Sequence, residues 1–448
     1  MDQPHSSVNR RGPRILWTAA LALAFVLSVR ASLRGGYIGP DYPTHLSRLI
    51  QWPKVFDFAA TNPPIYYLLG HPLFFVVGPT NSFPIALSIL QLAINLVALW
   101  YFFCYTQPCF RSTIVHSALF LFLVFLPVRI IHATTLGPDS MTVPLFVLLL
   151  FVVNRVLVHE TSPLWSAALL GAALAVAVWV KYSFMALLPT LVVVFFFLWI
   201  KRQWKLQRFV AICLLSLLLP SVLSIHSFWA STRAHGYNTE KHWLQKGVPP
   251  DMTYRDLLSV KANDLRLFRA PEYFKREILL PHRYSYLGLS HMGVFTDPMN
   301  LFQELSVPQN IGRVLIPDQK TRPAWKTPVM SASMYLGIIW TASALVGTAW
   351  LLSSALRRLV KGDLEREHLT VLLGVAYFLL MFLPIPFVHG GALFGYWTPR
   401  LILPGLLSFF LAAFLFIDMK IVRRSERIAC AVALLVAVQC TIEVVMLI

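Results

Sequence analysis

Two groups able to do acid–base chemistry stand four residues apart in the segment Gly39-Pro40-Asp41-Tyr42-Pro43-Thr44-His45. The segment lies just outside the first apolar run, where water still solvates a carboxylate. Its second proline suits the first turn of a helix over 43–52, which would place His45 about one turn beyond Asp41. Asp41 is therefore either a general base beside a membrane cavity or only the cap of this helix, with His45 and Arg48 facing solvent.

Similar chemistry recurs where later apolar runs end. Asp139 offers a second carboxylate, although an N-cap role explains it equally well. Lys181 and Arg400 are isolated cations in short connections that are otherwise nearly free of Lys and Arg, so they either snorkel toward the interface or bind a phosphate there. Aromatic rings accompany them at Tyr66, Tyr67 and Trp397. Rings and carboxylates bind sugars and cations bind lipid phosphates, so the set suggests a sugar handled on a lipid phosphate.

Composition indicates which elements must position these groups. Of 448 residues, 57% are hydrophobic and 13% charged, too few charges to cover a soluble domain of this size. Many apolar runs reach about 20 residues, the length of a helix that crosses a bilayer. The chain is therefore predicted to be an all-α polytopic membrane protein. Its formal charge of +18 is attributed to cytoplasmic loops and anionic lipid contact rather than to nucleic acid, and its five cysteines show no metal-ligand spacing.

About eleven spans are predicted, and loop charge sets their direction. They lie near 14–32, 84–105, 113–131, 140–158, 163–180, 184–200, 209–229, 331–355, 369–388, 400–418 and 428–447. With a cytoplasmic N-terminus, the basic clusters 201–208, 357–361 and 420–427 all fall on the cytoplasmic side, in agreement with the positive-inside rule. The apolar segment 64–77 is short, and counting it as a span would invert every later loop. It is therefore interpreted as an outer-face interfacial or re-entrant helix.

This topology leaves two large loops on the outer face. The first, 33–83, belongs to an N-terminal transmembrane module of residues 1–230 and would hold the catalytic acid. The second, 231–329, is long enough for a small subdomain and precedes the C-terminal transmembrane helices of 330–448. It includes His291, which either contacts substrate or packs within the loop. The acids, cations and rings described above are thus predicted to converge on one face of the membrane.

These residues resemble motifs of the GT-C superfamily of integral-membrane glycosyltransferases, which includes protein mannosyltransferase-like, aminoarabinose transferase-like and rhizobial lipopolysaccharide sugar transferase-like enzymes. Pro40-Asp41-Tyr42-Pro43-Thr44-His45 resembles the acidic motif of the family's first outer loop. Asn62-Pro63-Pro64-Ile65-Tyr66-Tyr67 is similar to its His-Pro-Pro-Leu-Tyr-Tyr stretch, and Gly137-Pro138-Asp139 to its Asn-Pro-Asp motif. Trp397-Thr398-Pro399-Arg400-Leu401-Ile402-Leu403-Pro404 is similar to an Arg-Tyr-Leu-Leu-Pro sequence near a late span.

The resemblance implies a fold, a reaction and a set of roles. The fold would be a GT-C-like transmembrane helix bundle. The donor would be a polyprenyl-phosphate sugar with its phosphate near Lys181 and Arg400, and the acceptor would be a lipid, a glycan or a protein. Asp41 would be the general base of an inverting transfer at the outer face. His45 or Asp139 would orient the base, the acceptor or a metal ion.

One departure from the family leaves the cofactor open. The acidic residue that commonly follows the first-loop Asp is replaced by Tyr42, so a tight acidic pair is missing there. Divalent cation sites in the superfamily rely on acidic clusters. No cofactor is therefore assigned, and a divalent cation, if bound, would be held by Asp41 and Asp139.

Two other functions remain open from the sequence. A polyprenyl-linked glycan polymerase or ligase would place its cations and histidine in the second outer loop, near Arg283 and His291. A transporter or flippase of lipid-linked sugars would place ionisable residues near mid-bilayer and show two related halves. A bacterial inner membrane is favoured over the endoplasmic reticulum because the compact chain carries no retention signal.

Overall fold

All of the described secondary structure is helical. The computed structural model describes residues 11–33, 42–51, 63–80, 82–159, 163–235, 286–296, 325–383, 398–422 and 425–447. Within these ranges the α-helices are α1 Arg11–Ala31, α2 Tyr42–Ile50, α3 Ile65–Val77, α4 Ser82–Thr106, α5 Thr113–Phe125, α6 Pro127–Thr134, α7 Thr142–Asn154, α8 Pro163–Val180, α9 Leu187–Lys201, α10 Leu206–His235, α11 Tyr286–Phe295, α12 Lys326–Lys361, α13 Arg366–Phe382, α14 Thr398–Phe416 and α15 Glu426–Leu447. Short 3₁₀ turns at Pro138–Met141 and Tyr182–Ala186 lead into α7 and α9.

The chain is an all-α polytopic membrane protein. In the described ranges, eight helical stretches are long and apolar enough to cross a membrane. They coincide with the first, second, fourth, sixth, seventh, eighth, tenth and eleventh predicted spans. The length of an apolar run is therefore a sufficient guide to these helices, because in lipid a spanning chain must satisfy its backbone hydrogen bonds internally.

The other three predicted spans differ from a straight crossing helix. The third is broken into α5 and α6, which meet at an angle of 47° where Pro127 begins the second helix. The fifth and ninth form α8 and α13, whose apolar helices of about 25 Å are a little short of a bilayer core. The segment predicted not to cross forms α3, whose 13 residues extend about 20 Å.

Helix α14 lies at the centre of the C-terminal half. Within its apolar stretch 89% of the residues are buried. Its Phe414 stacks on Trp340 of α12 with ring centroids 5.3 Å apart. On its other side Ser408 lies so close to Gly374 of α13 that a Cβ at position 374 would be 2.0 Å from the Ser408 hydroxyl oxygen. Such close approach through a small residue is typical of helix pairs in membranes.

The bundle has two chemically distinct ends. At one end, Arg202 donates from its guanidinium to the carbonyl oxygens of Leu157 and Gly362, at 2.7 and 3.0 Å. At this end also, the Arg111 backbone N–H donates to the Asp418 carboxylate at 2.7 Å. These contacts join connections that loop charge assigns to the cytoplasmic side. Helices α2 and α3, the 134–140 connection and the end of α8 meet at the opposite end.

Candidate functional site

Helix α2 is docked on α3 by contacts that bury its polar residues. The His71 Nδ1–H donates to the Leu49 carbonyl oxygen at 2.8 Å, and the Arg48 guanidinium lies 4.6 Å from the centroid of the Tyr67 ring. His45 is 4% exposed and its Nδ1 lies 2.7 Å from the Tyr67 hydroxyl oxygen. Arg48 is only 5% exposed, so the interpretation in which His45 and Arg48 face solvent is wrong.

Tyr66 connects α3 to the 134–140 connection. Its hydroxyl oxygen accepts hydrogen bonds from the Gly137 backbone N–H at 2.9 Å and from the Gln91 side-chain amide. Two accepted bonds leave the phenol its own proton to donate to a third group. Burial raises the pKa of Tyr66 well above its ordinary value, so the phenol stays protonated at any physiological pH. It is therefore a fixed hydrogen-bond donor.

Gly137 allows the 134–140 connection to reach the histidine. Its φ is +156°, and a Cβ at this position would lie 3.0 Å from Nε2 of His45. The residue thus combines a backbone conformation that favours glycine with a contact that leaves no space for a side chain. At this position the peptide 134–140 lies against α2.

Asp139 and Lys181 form a largely buried ion pair at the same place. The Lys181 Nζ lies 2.9 Å from Oδ1 of Asp139, and the two side chains are 16% and 11% exposed. The turn that carries the acid is held by Asn95, whose amide donates to the Ser140 carbonyl oxygen at 2.7 Å. The negative charge also acts on Tyr66, where it adds a smaller contribution to the raised pKa. The N-cap positions of the 3₁₀ turn and of α7 are held by Gly137 and Met141, so Asp139 caps neither, and its side chain pairs with Lys181 instead.

We call this group of side chains the polar cluster. It comprises His45, Tyr66, Tyr67, Gln91, Gly137, Asp139 and Lys181. Five of them were proposed from the sequence, and the fold brings them together from four separate parts of the chain. Asp41 and Trp397 lie outside the described residues, and so does the Arg400 side chain, although its backbone belongs to the first turn of α14.

His291 lies elsewhere, in α11 at the edge of an apolar cavity. Its Nε2–H donates to the Met334 carbonyl oxygen at 3.2 Å, and its Nδ1 accepts from the Thr341 hydroxyl at 3.0 Å. Burial lowers the pKa of His291, which favours the neutral ring. The cavity, about 500 Å³ in volume, is lined mainly by apolar side chains of α11–α14. Both ring nitrogens of His291 are engaged within the protein.

The polar cluster does not offer a convincing site for a divalent cation. Among its described residues Asp139 supplies the one carboxylate, and an ammonium group already lies against that carboxylate. Divalent cations such as Mg²⁺ and Ca²⁺ need several oxygen ligands, and a single carboxylate does not supply them. The described residues therefore do not fit a metal ion here.

Two functional candidates were missed from the sequence. Gln91 sits in the middle of an apolar run and shows its role only through the contact with Tyr66. Arg129 of α6 is 1% exposed, and its Nη2 donates to the Val124 carbonyl oxygen. Within the described part of the chain its Nε and Nη1 have no hydrogen-bond partner. An arginine inside a predicted span is a signal of function that could have singled it out.

Comparison with known proteins adds no family assignment. No protein-family model matches the chain, and no curated protein matches it. The polar cluster combines a carboxylate paired with a cation, a buried phenol, and an imidazole hydrogen-bonded to a second phenol. Such a set can bind a polar substrate, and it lies at one end of the bundle.

Proposed function

We propose that the chain is an integral-membrane glycosyltransferase of the GT-C type, which moves a sugar from a polyprenyl-phosphate donor to a lipid, glycan or protein acceptor. The observation that carries the proposal is the polar cluster. Histidine, tyrosine, acid and lysine side chains from four separated segments meet at the end of the bundle where α2 begins. Asp41 immediately precedes α2 in the sequence.

In this proposal Asp41 is the general base. It accepts the proton of the acceptor hydroxyl while the hydroxyl oxygen attacks the anomeric carbon from the face opposite the phosphate. The bond between the anomeric carbon and the phosphate oxygen breaks, the configuration inverts, and polyprenyl phosphate leaves with the electron pair. The Lys181 ammonium group has three N–H donors, and one of them is directed at Asp139. The remaining donors are suited to stabilise the leaving phosphate.

Other groups would bind the substrate rather than react. The Tyr66 phenol, kept protonated by burial, would donate to a sugar hydroxyl, and His45 would orient the acceptor or the base. Arg400 and Trp397 are proposed as further contacts to the phosphate and the sugar. The apolar cavity lined by α11–α14 is suited to part of the isoprenoid chain, because its lining is almost entirely hydrocarbon. The proposed active site faces the outer side of a bacterial inner membrane.

The proposal can be tested in proteoliposomes that contain the purified chain and radiolabelled polyprenyl-phosphate sugars. We expect wild type to transfer label to an acceptor and Asp41→Asn to lower the rate by about 10²- to 10⁴-fold. Asp363→Asn is a matched control, because Asp363 is an exposed acid at the other end of the bundle. Equal transfer by wild type and Asp41→Asn would contradict the general-base role. No transfer with any of a panel of hexose and pentose donors would contradict the function.

A transporter of lipid-linked sugars is the second candidate, because ionisable residues are buried inside predicted spans. Two of them are Arg129 in α6 and Glu443 in α15, where the Gln439 amide donates to the Glu443 carboxyl at 2.7 Å. Intramembrane charges of this kind often mark transport pathways. Movement of labelled lipid between leaflets that survives Asp41→Asn but stops in Glu443→Gln would favour transport over transfer.

A further inference from the structure

A second cluster of ligand-type side chains lies at the end of the bundle opposite the polar cluster. It consists of Glu365, Glu367 and His368, where the turn after α12 leads into α13. Nδ1 of His368 is 3.5 Å from Oε2 of Glu365 and 3.8 Å from Oε1 of Glu367. Tyr377 lies ten residues after Glu367 on α13, about 15 Å along the helix, and its hydroxyl donates a hydrogen bond to Ser183 near the polar cluster.

His368 is the buried member of the cluster, and one of its ring nitrogens faces the two carboxylates. His368 is 4% exposed, and its Nε2 lies 3.1 Å from the Ser354 hydroxyl oxygen. Its Nδ1 is buried and, within the described part of the chain, has no hydrogen-bond partner. In the tautomer that donates the Nε2–H to the Ser354 hydroxyl, the Nδ1 lone pair points at the carboxylates of Glu365 and Glu367. Three electron-rich groups then face one another, an arrangement that a cation would stabilise.

The outer atoms of the carboxylates are held by other residues. Oε1 of Glu365 accepts from the Arg358 guanidinium at 2.8 Å, and Oε2 of Glu367 accepts from the Cys109 thiol at 3.4 Å. Glu365 stands at the N-cap position of α13, yet its side chain makes no capping hydrogen bond. Ligand groups in metal sites are commonly oriented in this way, with the second atom of each ligand hydrogen-bonded. Capping of the helix does not account for where this carboxylate points.

The distances suit a small divalent cation. Two ligand atoms about 2.0–2.1 Å from a tetrahedral Zn²⁺ lie about 3.4 Å apart. The observed 3.5 and 3.8 Å from the imidazole nitrogen to the carboxylate oxygens are close to that value. One imidazole with two carboxylates also matches the ligand preference of first-row transition metals rather than of Mg²⁺ or Ca²⁺.

We propose that His368 Nδ1, Glu365 Oε2 and Glu367 Oε1 bind a first-row divalent cation, best fitted by Zn²⁺, with water in the fourth position. The site joins the turn between α12 and α13 to the beginning of α13, and Cys109 extends the contact to the 3₁₀ turn Gln107–Cys109 that follows α4. It is separate from the polar cluster and does not depend on the function proposed for that cluster. Glu365 is 47% exposed, so a cation from solution can reach the site.

The test is calorimetric titration of the detergent-solubilised full chain, purified with a histidine-free tag and stripped with a chelator, using Zn²⁺ alone. We expect one ion per chain for wild type and at least about tenfold weaker binding for Glu367→Gln and His368→Ala. Co²⁺ gives a second readout, because its visible absorption reports tetrahedral coordination. Asp363→Asn is the matched control: Asp363 contacts the same arginine as Glu365 but is not one of the three ligands, so binding should be unchanged.

Each outcome of these titrations either supports or overturns the proposed cation site. Absence of stoichiometric Zn²⁺ and Co²⁺ binding by wild type overturns the proposal, as does binding that is equally tight in Glu365→Gln and Glu367→Gln. The partly exposed Glu365 makes its variant a safe one should His368→Ala fail to fold, and thermal unfolding of each variant identifies such a failure. A rise in the wild-type unfolding temperature on adding Zn²⁺, lost in Glu365→Gln and kept in Asp363→Asn, supports it.

Discussion

Neutralising either member of the Asp139–Lys181 pair should destabilise the protein more than neutralising both. The ammonium nitrogen and the carboxylate oxygen are 2.9 Å apart, and the two side chains are 16% and 11% exposed. At an effective dielectric constant of about 20, Coulomb's law gives an attraction of about 6 kcal/mol at this distance. Desolvation of both groups offsets much of it. Removing one partner leaves the other charge buried, which costs about 3–5 kcal/mol.

The magnitude can be measured with a double-mutant cycle. We expect Asp139→Asn and Lys181→Met each to lower the free energy of unfolding by about 3–5 kcal/mol, and the double variant to lie within about 2 kcal/mol of wild type. The assay is reversible unfolding of the purified chain in mixed detergent micelles. Asp363→Asn serves as control, since that acid is 73% exposed and its ion pair should contribute less than about 1 kcal/mol.

Two results would refute the reasoning behind this prediction. If each single variant loses less than about 1 kcal/mol, the pair is solvated in the membrane-embedded protein and does not behave as a buried one. If the losses of the two single variants add up in the double variant, the two groups do not interact. Either result would also weaken the case that Lys181 is positioned for a phosphate by its contact with Asp139.

Two further predictions concern Gly137 and Arg129. Gly137→Ala should lower the transfer activity, and it should lower the free energy of unfolding by about 1–3 kcal/mol. The reason is that the added methyl group would meet the His45 ring. Unchanged values in the transfer and unfolding assays would contradict this contact. Arg129→Met should leave the free energy of unfolding unchanged or raise it by up to about 4 kcal/mol while lowering transfer. The reason is that two of the buried guanidinium nitrogens have no hydrogen-bond partner among the described residues, so the charge is retained for function. A stability loss of about 3 kcal/mol would instead indicate a structural partner.

Much of the fold could be predicted from the sequence because the bilayer constrains it strongly. Spans follow from apolar length, and loop charge divides the connections into two sets, which the contacts of Arg111 and Arg202 also separate. Pro127 was one of several prolines in apolar runs that could kink a helix, and the bend between α5 and α6 lies there. The sequence alone does not say which of these prolines bends its helix, because a proline inside an apolar run is compatible with either a kink or a straight helix.

The candidate site was only partly predictable. His45, Tyr66, Asp139 and Lys181 could be named from their residue types and their places at the ends of apolar runs. Their pairing could not, because the ion pair joins residues 42 positions apart and depends on how α8 packs against the 134–140 connection. A tyrosine near a span end also suggests an aromatic belt at the headgroups, whereas Tyr66 is 3% exposed and hydrogen-bonded. The burial of a side chain depends on how distant segments pack, so it cannot be predicted from the local sequence pattern.

The two ends of the bundle can be tested separately because rigid helices keep them apart. On α13, Glu367 and Tyr377 are separated by about 15 Å, and on α4 the rise from Gln91 to Thr106 is about 22 Å. Substitutions more than about 10 Å apart without shared partners usually have additive effects. Glu367→Gln should therefore change cation binding without changing sugar transfer, and Lys181→Met should do the reverse. If both properties instead change in both variants, the substitutions are altering the fold as a whole, and neither site is being probed.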